Sequence, residues 1–345
     1  MVHMRTVFLL LLLSSMATLG AERPHAPRPD SLAVHVIDVE GGQATLFVAP
    51  SGESMLVDTG WAGFNGRDAD RIAEAAKQAG VSRIDYLVVT HYHADHVGGV
   101  PGIAAKLPIG TFVDHGPTVE HGAQPDALYA AYLETRARGR HLQVKPGDRI
   151  PIAGLDVRVV SSGGELLRRP LAGAGAANAA CKDYTPMAED PSENARSVGI
   201  VIQYGRFRLL DLGDLTWNKE HDLVCPNNTV GTVAVYLTTH HGLDSSGSPA
   251  IVRAVQPRVA VMNNGAKKGG AAKAWDIIHT SPGLEDLWQL HYAVDAGADH
   301  NAKESYLANV DETTAHATTI AARRDGSFIV TNTRNGFSRT YQSKR

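Results

Sequence analysis

A largely apolar run that ends in a dense group of polar residues constrains this chain more than any other feature. Residues 84–89 form the apolar run, and His91, His93, Asp95 and His96 follow it within eight positions. Such a run is typical of a strand buried on both faces, so the polar group is expected at the end of a buried strand. Imidazole nitrogen and carboxylate oxygen are ligands that zinc prefers. The segment therefore predicts a metal site at the edge of a sheet.

The spacing of these four residues divides them into two pairs. His91 and His93 are two apart in an extended turn, can point the same way, and are predicted to hold one ion. Asp95 and His96 are neighbours whose side chains diverge, which suits a second ion close by. Removing four such polar groups from water without a metal would be costly, so a purely structural role is not favoured.

A two-metal site needs further ligands from elsewhere in the chain. Asp214 follows a strand pattern and a glycine, and is predicted to bridge the two ions. Asp211 is a weaker candidate, because it falls within the strand pattern and is expected to face solvent. His240 and His241 follow another buried strand pattern and supply at least one ligand, and the sequence leaves open which. Asp58 ends a further strand pattern and either orients a ligand histidine from behind or is a plain turn aspartate.

The pattern of short strands and helices predicts the fold class. Strands occur in two groups with helices between them, which favours an α+β chain whose two sheets pack face to face with helices outside. The length of 345 residues allows two folding units or one large two-layered domain. Residues 163–194 and 265–311 do not fit a compact core and are predicted to be insertions. Each is either a lid over a site or surface decoration.

The first residues predict export. Arg5 precedes an apolar run that is followed by small residues up to Ala21, which is the order of a secretory signal peptide. Residues 1–21 are therefore assigned to a signal peptide, residues 22–31 to a linker, and residues 32–345 to one folded domain. An uncleaved anchor is the alternative, but the apolar run is short for a membrane span. We expect a periplasmic or extracellular protein with no membrane span after cleavage.

Charge and cysteine content exclude several classes of protein. The 33 basic and 36 acidic residues give a net charge of −3, so bulk attraction to nucleic acid or anionic lipid is absent, although a local basic groove stays open. Two cysteines are too few for a disulfide scaffold. In an exported protein Cys181 and Cys225 can pair, but the sequence does not establish that they do. No obligate protein partner is evident.

The order of the motifs resembles a known family. His91-Tyr-His-Ala-Asp-His96, with Asp58 before it and Asp214 and His240-His241-Gly242 after it, resembles the metallo-β-lactamase superfamily. Residues 35–44, HVIDVEGGQA, are similar to the opening motif of the hydrolase domain of the DNA-uptake competence channel ComEC. Pro146-Gly-Asp148, Ser197 and Gly213-Asp214 follow in the order of that subgroup. The resemblance spans roughly residues 34–331.

This resemblance implies an αββα sandwich (the metallo-β-lactamase fold, two mixed sheets between helices) with two zinc ions at one edge. It implies that His91 and His93 bind the first ion, and that Asp95 and His96 bind the second. Asp214 would bridge the ions, and His240 or His241 would complete the second site. A metal-bound hydroxide would be the nucleophile. Asp95 would orient that nucleophile as well as bind metal.

The chain departs from the family pattern at two places. Gln43 replaces the acidic residue that is usual in the opening motif. The histidine that many members place before the bridging aspartate has no obvious counterpart. Asn194, His115 or a water molecule are the candidates for that position, so a single-metal enzyme also stays open.

These observations predict an exported zinc hydrolase, and the resemblance favours phosphodiesters, in a small molecule or a nucleic acid, as substrates. The slightly acidic composition of the chain argues mildly against tight nucleic-acid binding. A lactonase, thioesterase or β-lactamase-like enzyme with the same metals is the alternative. A non-catalytic scaffold with the same fold is a second alternative, and the intact set of ligand residues argues against it. Iron or manganese can replace zinc at a mixed histidine and carboxylate site.

Overall fold

The structure is a computed structural model that describes residues 30–343. The predicted signal peptide and most of the predicted linker lie outside the described residues. Among residues 30–343, every helix is too short or too polar to span a bilayer. The strands are β1 (Leu32–Val36), β2 (Thr45–Val48), β3 (Ser54–Val57), β4 (Ile84–Val88), β5 (Ile109–Asp114), β6 (Arg140–Gln143), β7 (Arg149–Ile150), β8 (Asp156–Ser162), β9 (Glu165–Leu166), β10 (Gly199–Tyr204), β11 (Phe207–Asp211), β12 (Val235–Leu237), β13 (Val259–Met262), β14 (Asp286–His291), β15 (Leu307–Asn309), β16 (Thr318–Ala322), β17 (Phe328–Asn332) and β18 (Ser338–Tyr341). The α-helices are α1 (Arg67–Gln78), α2 (Ala94–Val97), α3 (Val100–Ala104), α4 (Ala123–Arg136), α5 (Trp217–Val224), α6 (Pro249–Val255) and α7 (Ala272–His279).

These strands form two mixed sheets. The first has the order β18-β17-β16-β1-β2-β3-β4-β5-β6, and only its β3 to β6 part is parallel. The second has the order β15-β14-β13-β12-β11-β10-β8-β7, with β9 paired to β8, and is parallel from β15 to β11. Parallel strands joined through helices bring the carboxyl ends of several strands to one edge of each sheet.

Side chains that alternate along each strand build the four layers. Val88 of β4 and Leu209 of β11 lie in one apolar cluster between the two sheets. Their neighbours Leu87 and Leu210 point the opposite way, because successive side chains of a strand lie on opposite faces. Leu87 packs in a cluster that includes residues of α1, α3 and α4, and Leu210 in one that includes residues of α5, α6 and α7. The order is helices, sheet, sheet, helices, and the predicted αββα sandwich is confirmed.

The interpretation of residues 265–311 as an insertion outside the core is wrong. This stretch contains α7, β14 and β15, and the two strands extend the parallel part of the second sheet. Trp288 of β14 is fully buried, but Gln289 and His291 are buried beside it and break the apolar pattern. Both polar side chains have hydrogen-bond partners, Gln289 with Ala302 and His291 with Asp38. A satisfied polar side chain can be buried, so apolar periodicity alone missed the strand.

Part of the stretch 163–194 is bonded to the helices that cover the second sheet. Cys181 and Cys225 form a disulfide whose Cα atoms are 5.8 Å apart, which resolves the pairing that the sequence left open. The Trp217 indole donates a hydrogen bond to the carbonyl oxygen of Thr185 at 3.0 Å. The Tyr184 hydroxyl donates to Asn218 at 2.6 Å. The middle of this stretch therefore packs on α5.

Candidate metal centre

The candidate site lies where the carboxyl ends of strands from both sheets meet. His91, His93, Asp95 and His96 follow β4 of the first sheet, and Asp214 follows β11 of the second. His240 and His241 follow β12, which is parallel to β11. Because the sheets pack face to face, these loops adjoin at one edge of the sandwich.

Four side chains bring one donor atom each within 4.8 Å of one another: Asp95, His96, Asp214 and His241. His96 Nε2 lies 3.1 Å from Asp214 Oδ2 and 3.2 Å from His241 Nε2. Asp95 Oδ2 lies 3.3 Å from each of these two imidazole nitrogens. Asp214 Oδ2 lies 3.4 Å from His241 Nε2. A tetrahedron with edges of this length has its centre about 2 Å from each corner, which is the length of zinc bonds to nitrogen and oxygen.

The surroundings of His96 favour a positive charge in this cluster. His96 Nδ1 lies 2.7 Å from Asp58 Oδ2, so Nδ1 carries the ring proton of the neutral imidazole. Its Nε2 then presents a lone pair to the Asp214 carboxylate, and two acceptors at that distance repel each other. Burial opposes a second proton on His96, but the carboxylates of Asp214, Asp95 and Asp58 outweigh burial and raise its pKa well above the usual value. A positive charge belongs between these atoms, and a divalent ion fits them.

Two unpartnered buried atoms and the electrostatics of Asp214 also favour a cation at this site. His91 Nε2 and Asp214 Oδ1 are both buried and have no hydrogen-bond partner within the described residues, although buried polar atoms are normally satisfied. Burial would raise the pKa of Asp214, but His96, His241 and His240 hold it well below its usual value. Asp214 is thus an ionised carboxylate, ready to bind a cation.

The other predicted ligands approach the cluster to different extents. His91 Nε2 is 3.9 Å from Asp214 Oδ2, and burial, followed by the nearby His96, lowers its pKa well below the usual value. His240 Nε2 is 3.4 Å from the same oxygen. His93 Nε2 instead lies 3.0 Å from Glu120 Oε1, so its nearest acidic partner is outside the cluster.

Two consecutive left-handed residues direct His240 and His241 to the same carboxylate. Their φ angles are +55° and +56°, a region that costs free energy for residues other than glycine and that clusters at functional sites. The His240 amide donates to the Gly213 carbonyl oxygen and the His241 carbonyl oxygen accepts from Gly270, both at 2.9 Å. At position 269, a Cβ atom would come within 2.2 Å of the His241 carbonyl oxygen, so only glycine fits there.

Asp58 contacts His96 from behind. Its carboxylate accepts hydrogen bonds from the Thr90 amide at 2.8 Å and the Thr90 hydroxyl at 2.7 Å, as well as facing His96 Nδ1. It is fully buried and has a left-handed backbone, with φ of +58°. Of the two sequence interpretations, this geometry matches the aspartate that orients a histidine.

We expect Asp58→Asn to weaken divalent-metal affinity by about 10–100-fold, because the amide no longer fixes the Nδ1–H form of His96 with a full negative charge. Competition with a chromophoric chelator measures this affinity. Asp70→Asn is the matched control, since Asp70 is exposed and pairs with Lys106 on the surface. Equal affinity in Asp58→Asn and the wild type would contradict the assignment.

The expectation that Asp211 faces solvent is wrong. Asp211 is buried and accepts hydrogen bonds from Gln43 Nε2 at 3.0 and 3.1 Å and from the Gly213 amide at 3.0 Å. Burial raises its pKa to about 6. Gln43 in turn accepts a hydrogen bond from Asn263 Nδ2 at 3.2 Å. A neutral amide at position 43 therefore fits beside Asp211, where an acidic residue would place two carboxylates in contact.

His115 and Asn194, the two candidates for the missing ligand, have different surroundings in the structure. His115 Nε2 lies 3.0 Å from Glu193 Oε2, and both side chains are buried. Asn194 Oδ1 is buried without a hydrogen-bond partner among residues 30–343. In the described part of the chain, neither side chain has a hydrogen bond or ion pair with the four-donor cluster. The Asp214 amide instead donates to Ser197 Oγ at 3.2 Å.

Lys268 is a site residue that sequence reasoning missed. Its ammonium group contacts Asp95 Oδ2 and lies 4.8 Å from the centroid of the Trp61 ring. The sequence analysis placed it in a predicted insertion. The loop that carries Lys268 follows β13, and β13 pairs in parallel with β12. The position of β13 next to β12 in the sheet is the signal that could have identified Lys268.

The described chain is an αββα sandwich with histidine and aspartate donors for a metal ion at one edge. Residues 37–179 match the family described as "Metallo-beta-lactamase superfamily". Over this part of the chain the predicted family, the metallo-β-lactamase superfamily, is confirmed.

The chain is also similar to individual proteins. The chain is 26% identical over 243 residues to "Competence protein ComA" of Neisseria gonorrhoeae, which covers 70% of this chain and 28% of that protein. It thus spans little more than a quarter of the curated relative. Tm1679, described as a metal-dependent hydrolase of the beta-lactamase superfamily, has a TM-score of 0.44 and 17% identity, over 76% of this chain and 96% of that one. CmlA, a diiron beta-hydroxylase from Streptomyces venezuelae, has a TM-score of 0.40 and 17% identity, over 68% and 45%.

Proposed function

We propose that this protein is an exported, zinc-dependent hydrolase that cleaves phosphodiesters. The observation that carries the proposal is the cluster of Asp95, His96, Asp214 and His241, whose donor atoms lie at the spacing of a tetrahedral site. Three separate segments of the chain supply these donors, and a structural role for so many buried polar atoms would leave several unsatisfied.

The choice of zinc rests on the donor set. Two imidazole nitrogens and two carboxylate oxygens in a tetrahedral arrangement suit Zn²⁺. Iron and manganese accept the same donors, and their availability in the cell contributes to the choice. Metal analysis of the purified protein distinguishes these ions.

Each residue of the site has a defined part in the proposed reaction. Asp95, His96, Asp214 and His241 would hold the ion, and Asp58 keeps His96 in the form whose Nε2 is free to bind. A bound divalent ion supplies an ionised water molecule as nucleophile and stabilises negative charge on the substrate. Burial lowers the pKa of His240, so its imidazole is neutral near pH 7 and can accept a proton.

Positive and aromatic side chains near the cluster support a phosphodiester as substrate. The Lys268 ammonium lies beside Asp95 and over Trp61. The ammonium of Lys273 lies 4.6 Å from the centroid of the Trp217 ring, and the Trp217 amide donates to the carbonyl oxygen of Ser245, whose hydroxyl is 3.1 Å from His240 Nδ1. An ammonium next to the metal donors favours a substrate with negative charge at the scissile group. Similarity to a competence protein agrees with this class.

Export is supported by the disulfide between Cys181 and Cys225. Disulfides persist in oxidising compartments and are rare in the cytosol. The signal-peptide pattern of residues 1–21 predicts the same destination. Fractionation of cells that express the full chain, followed by N-terminal sequencing of the product, tests both points.

A panel of substrates tests the reaction. Metal-loaded wild type, chelator-treated wild type and Asp214→Asn are each incubated with DNA, a small chromogenic phosphodiester, a lactone and a β-lactam. We expect metal-dependent cleavage of a phosphodiester by the wild type alone. Cleavage of the lactone or β-lactam without phosphodiester cleavage would overturn the substrate class. Substoichiometric metal and no turnover on any substrate would favour the non-catalytic scaffold.

A further inference from the structure

We infer that Glu120 is a positioning residue of the metal centre. Its carboxylate takes the Nε2 proton of His93, so that Nδ1 is the atom through which His93 binds an ion. The sequence analysis predicted His93 as a ligand, but it did not single out Glu120. The inference rests on the proposed function, because it concerns a ligand of the ion that the proposed hydrolase uses.

Two other histidines of the site show how a contact from outside selects the nitrogen that binds. The Thr90 hydroxyl donates to Asp58 Oδ2 at 2.7 Å, so at its 3.1 Å contact with His91 Nδ1 it is the acceptor. His91 therefore carries its proton on Nδ1, as His96 does towards Asp58. The Nε2 atoms of His91 and His96 are left free, and they lie 3.9 and 3.1 Å from Asp214 Oδ2. A metal-binding histidine almost always donates its other ring N–H to an acceptor away from the metal.

His93 has the same arrangement with its two nitrogens exchanged. Its Nε2 lies 3.0 Å from Glu120 Oε1, and an ionised carboxylate only accepts, so Nε2 carries the proton. Among residues 30–343 this is the only hydrogen bond of the His93 ring, and in the neutral imidazole Nδ1 then keeps its lone pair. The centroids of the His91 and His93 rings are 4.7 Å apart. Both rings thus lie at one corner of the site, each with one nitrogen free to bind.

The carboxylate of Glu120 is itself held in place, by Glu193. The Glu193 amide donates to Glu120 Oε1 at 3.1 Å. The Glu193 carboxylate accepts from the Val119 amide at 2.7 Å, from the Thr118 hydroxyl at 2.9 Å and from the Tyr92 amide at 3.2 Å. Its side chain is only 1% exposed. Glu193 therefore ties the loop that carries Glu120 to the ligand segment after β4.

Direct binding of the ion by Glu120 is the competing role. Its Oε1 already accepts from His93 Nε2 and from the Glu193 amide, which uses both lone pairs of a carboxylate oxygen. An ion on this oxygen would have to displace one of the two donors. If the displaced donor were His93, its Nε2 would be free to bind, so the two roles of Glu120 place different His93 nitrogens on the metal.

The test is a nuclear magnetic resonance measurement that does not depend on activity. The exported protein is labelled with ¹⁵N at histidine, and long-range ¹H–¹⁵N spectra are recorded without metal and with Zn²⁺. These spectra report which ring nitrogen carries a proton and which binds metal, and His93→Gln identifies the signals of His93. We expect zinc on Nδ1 of His93 and a proton on Nε2. Zinc on Nε2 of His93, or a His93 ring that binds no zinc, would overturn the inference.

Glu120→Gln tests the role of the carboxylate. It keeps the size of the side chain and an acceptor oxygen but removes the negative charge, so we expect the affinity for at least one equivalent of Zn²⁺ to fall about 10–100-fold. Competition with a chromophoric chelator measures this affinity. Glu134→Gln is the matched control, because Glu134 is 78% exposed and pairs with Arg138 on the surface. Wild-type affinity in folded Glu120→Gln, or an equal loss in Glu134→Gln, would overturn the role of Glu120. The spectra of the wild type decide the inference even if Glu120→Gln does not fold.

These measurements separate the inference from the proposed function. Protein that binds zinc through His93 Nδ1 but cleaves no phosphodiester would refute the substrate class and still support the role of Glu120. Zinc-dependent phosphodiester cleavage with Nε2 of His93 on the metal would refute the role of Glu120 alone. Protein that binds no metal would refute both.

Discussion

Asp214→Asn is expected to abolish metal binding and hydrolysis together. Asp214 Oδ2 lies 3.1–3.4 Å from Nε2 of His96, His240 and His241. This one oxygen is therefore close to three imidazole nitrogens that could bind the same metal ion. Asparagine keeps the size of the side chain but removes its negative charge. We expect metal affinity to fall by more than about 100-fold and kcat/KM by at least about 10³-fold, a loss of roughly 4 kcal/mol in transition-state stabilisation.

The control for this substitution is Asp244→Asn, an exposed aspartate in the loop that follows His241. Both variants remove one carboxylate, so a general effect of net charge would appear in both. Circular dichroism and thermal unfolding establish that Asp214→Asn keeps the fold. Metal content and kcat/KM near the wild-type values in Asp214→Asn would refute the proposed centre.

The double variant Cys181→Ser/Cys225→Ser is expected to lose much of the stability of the folded chain. The disulfide closes a loop with a sequence separation of 44 residues. Loop closure of that length stabilises the folded state by about 4 kcal/mol in the chain-entropy account, mainly by restricting the unfolded chain. Urea denaturation under non-reducing conditions measures the free energy of unfolding, and we expect a lower midpoint with the metal count unchanged.

Reductant provides the matched comparison for the disulfide. It should lower the unfolding midpoint of the wild type towards that of the double variant, and leave the double variant unaffected. Equal midpoints for oxidised wild type and double variant would show that the disulfide contributes no stability. The disulfide lies outside the four-donor cluster, so hydrolysis should continue while the folded state persists.

The sequence predicted those parts of the site that depend on neighbours along the chain. The strand β4 and the ligand residues after it lie within one short segment, so apolar pattern and ligand type sufficed. The strand β4 lies within the predicted apolar run of residues 84–89. Here the local pattern agrees with the tertiary environment.

Other predictions failed because a distant residue changed the environment of a polar one. Asp211 was expected to face solvent, but Gln43, 168 positions away, satisfies it in the interior. Buried Gln289 and His291 concealed β14 in the same way, since their partners lie on other segments. Apolar periodicity reports which residues avoid water, and it does not report which polar residues find a partner.

The sequence by itself determined the family, the αββα arrangement and the residue types that converge on a metal, because these follow from short patterns and their order. Tertiary structure decided which donors meet. His96 and Asp214 are 118 positions apart, His96 and His241 are 145 apart, and Asp95 and Lys268 are 173 apart. The packing of the two sheets sets these distances, and the same packing brought Lys268 to Asp95.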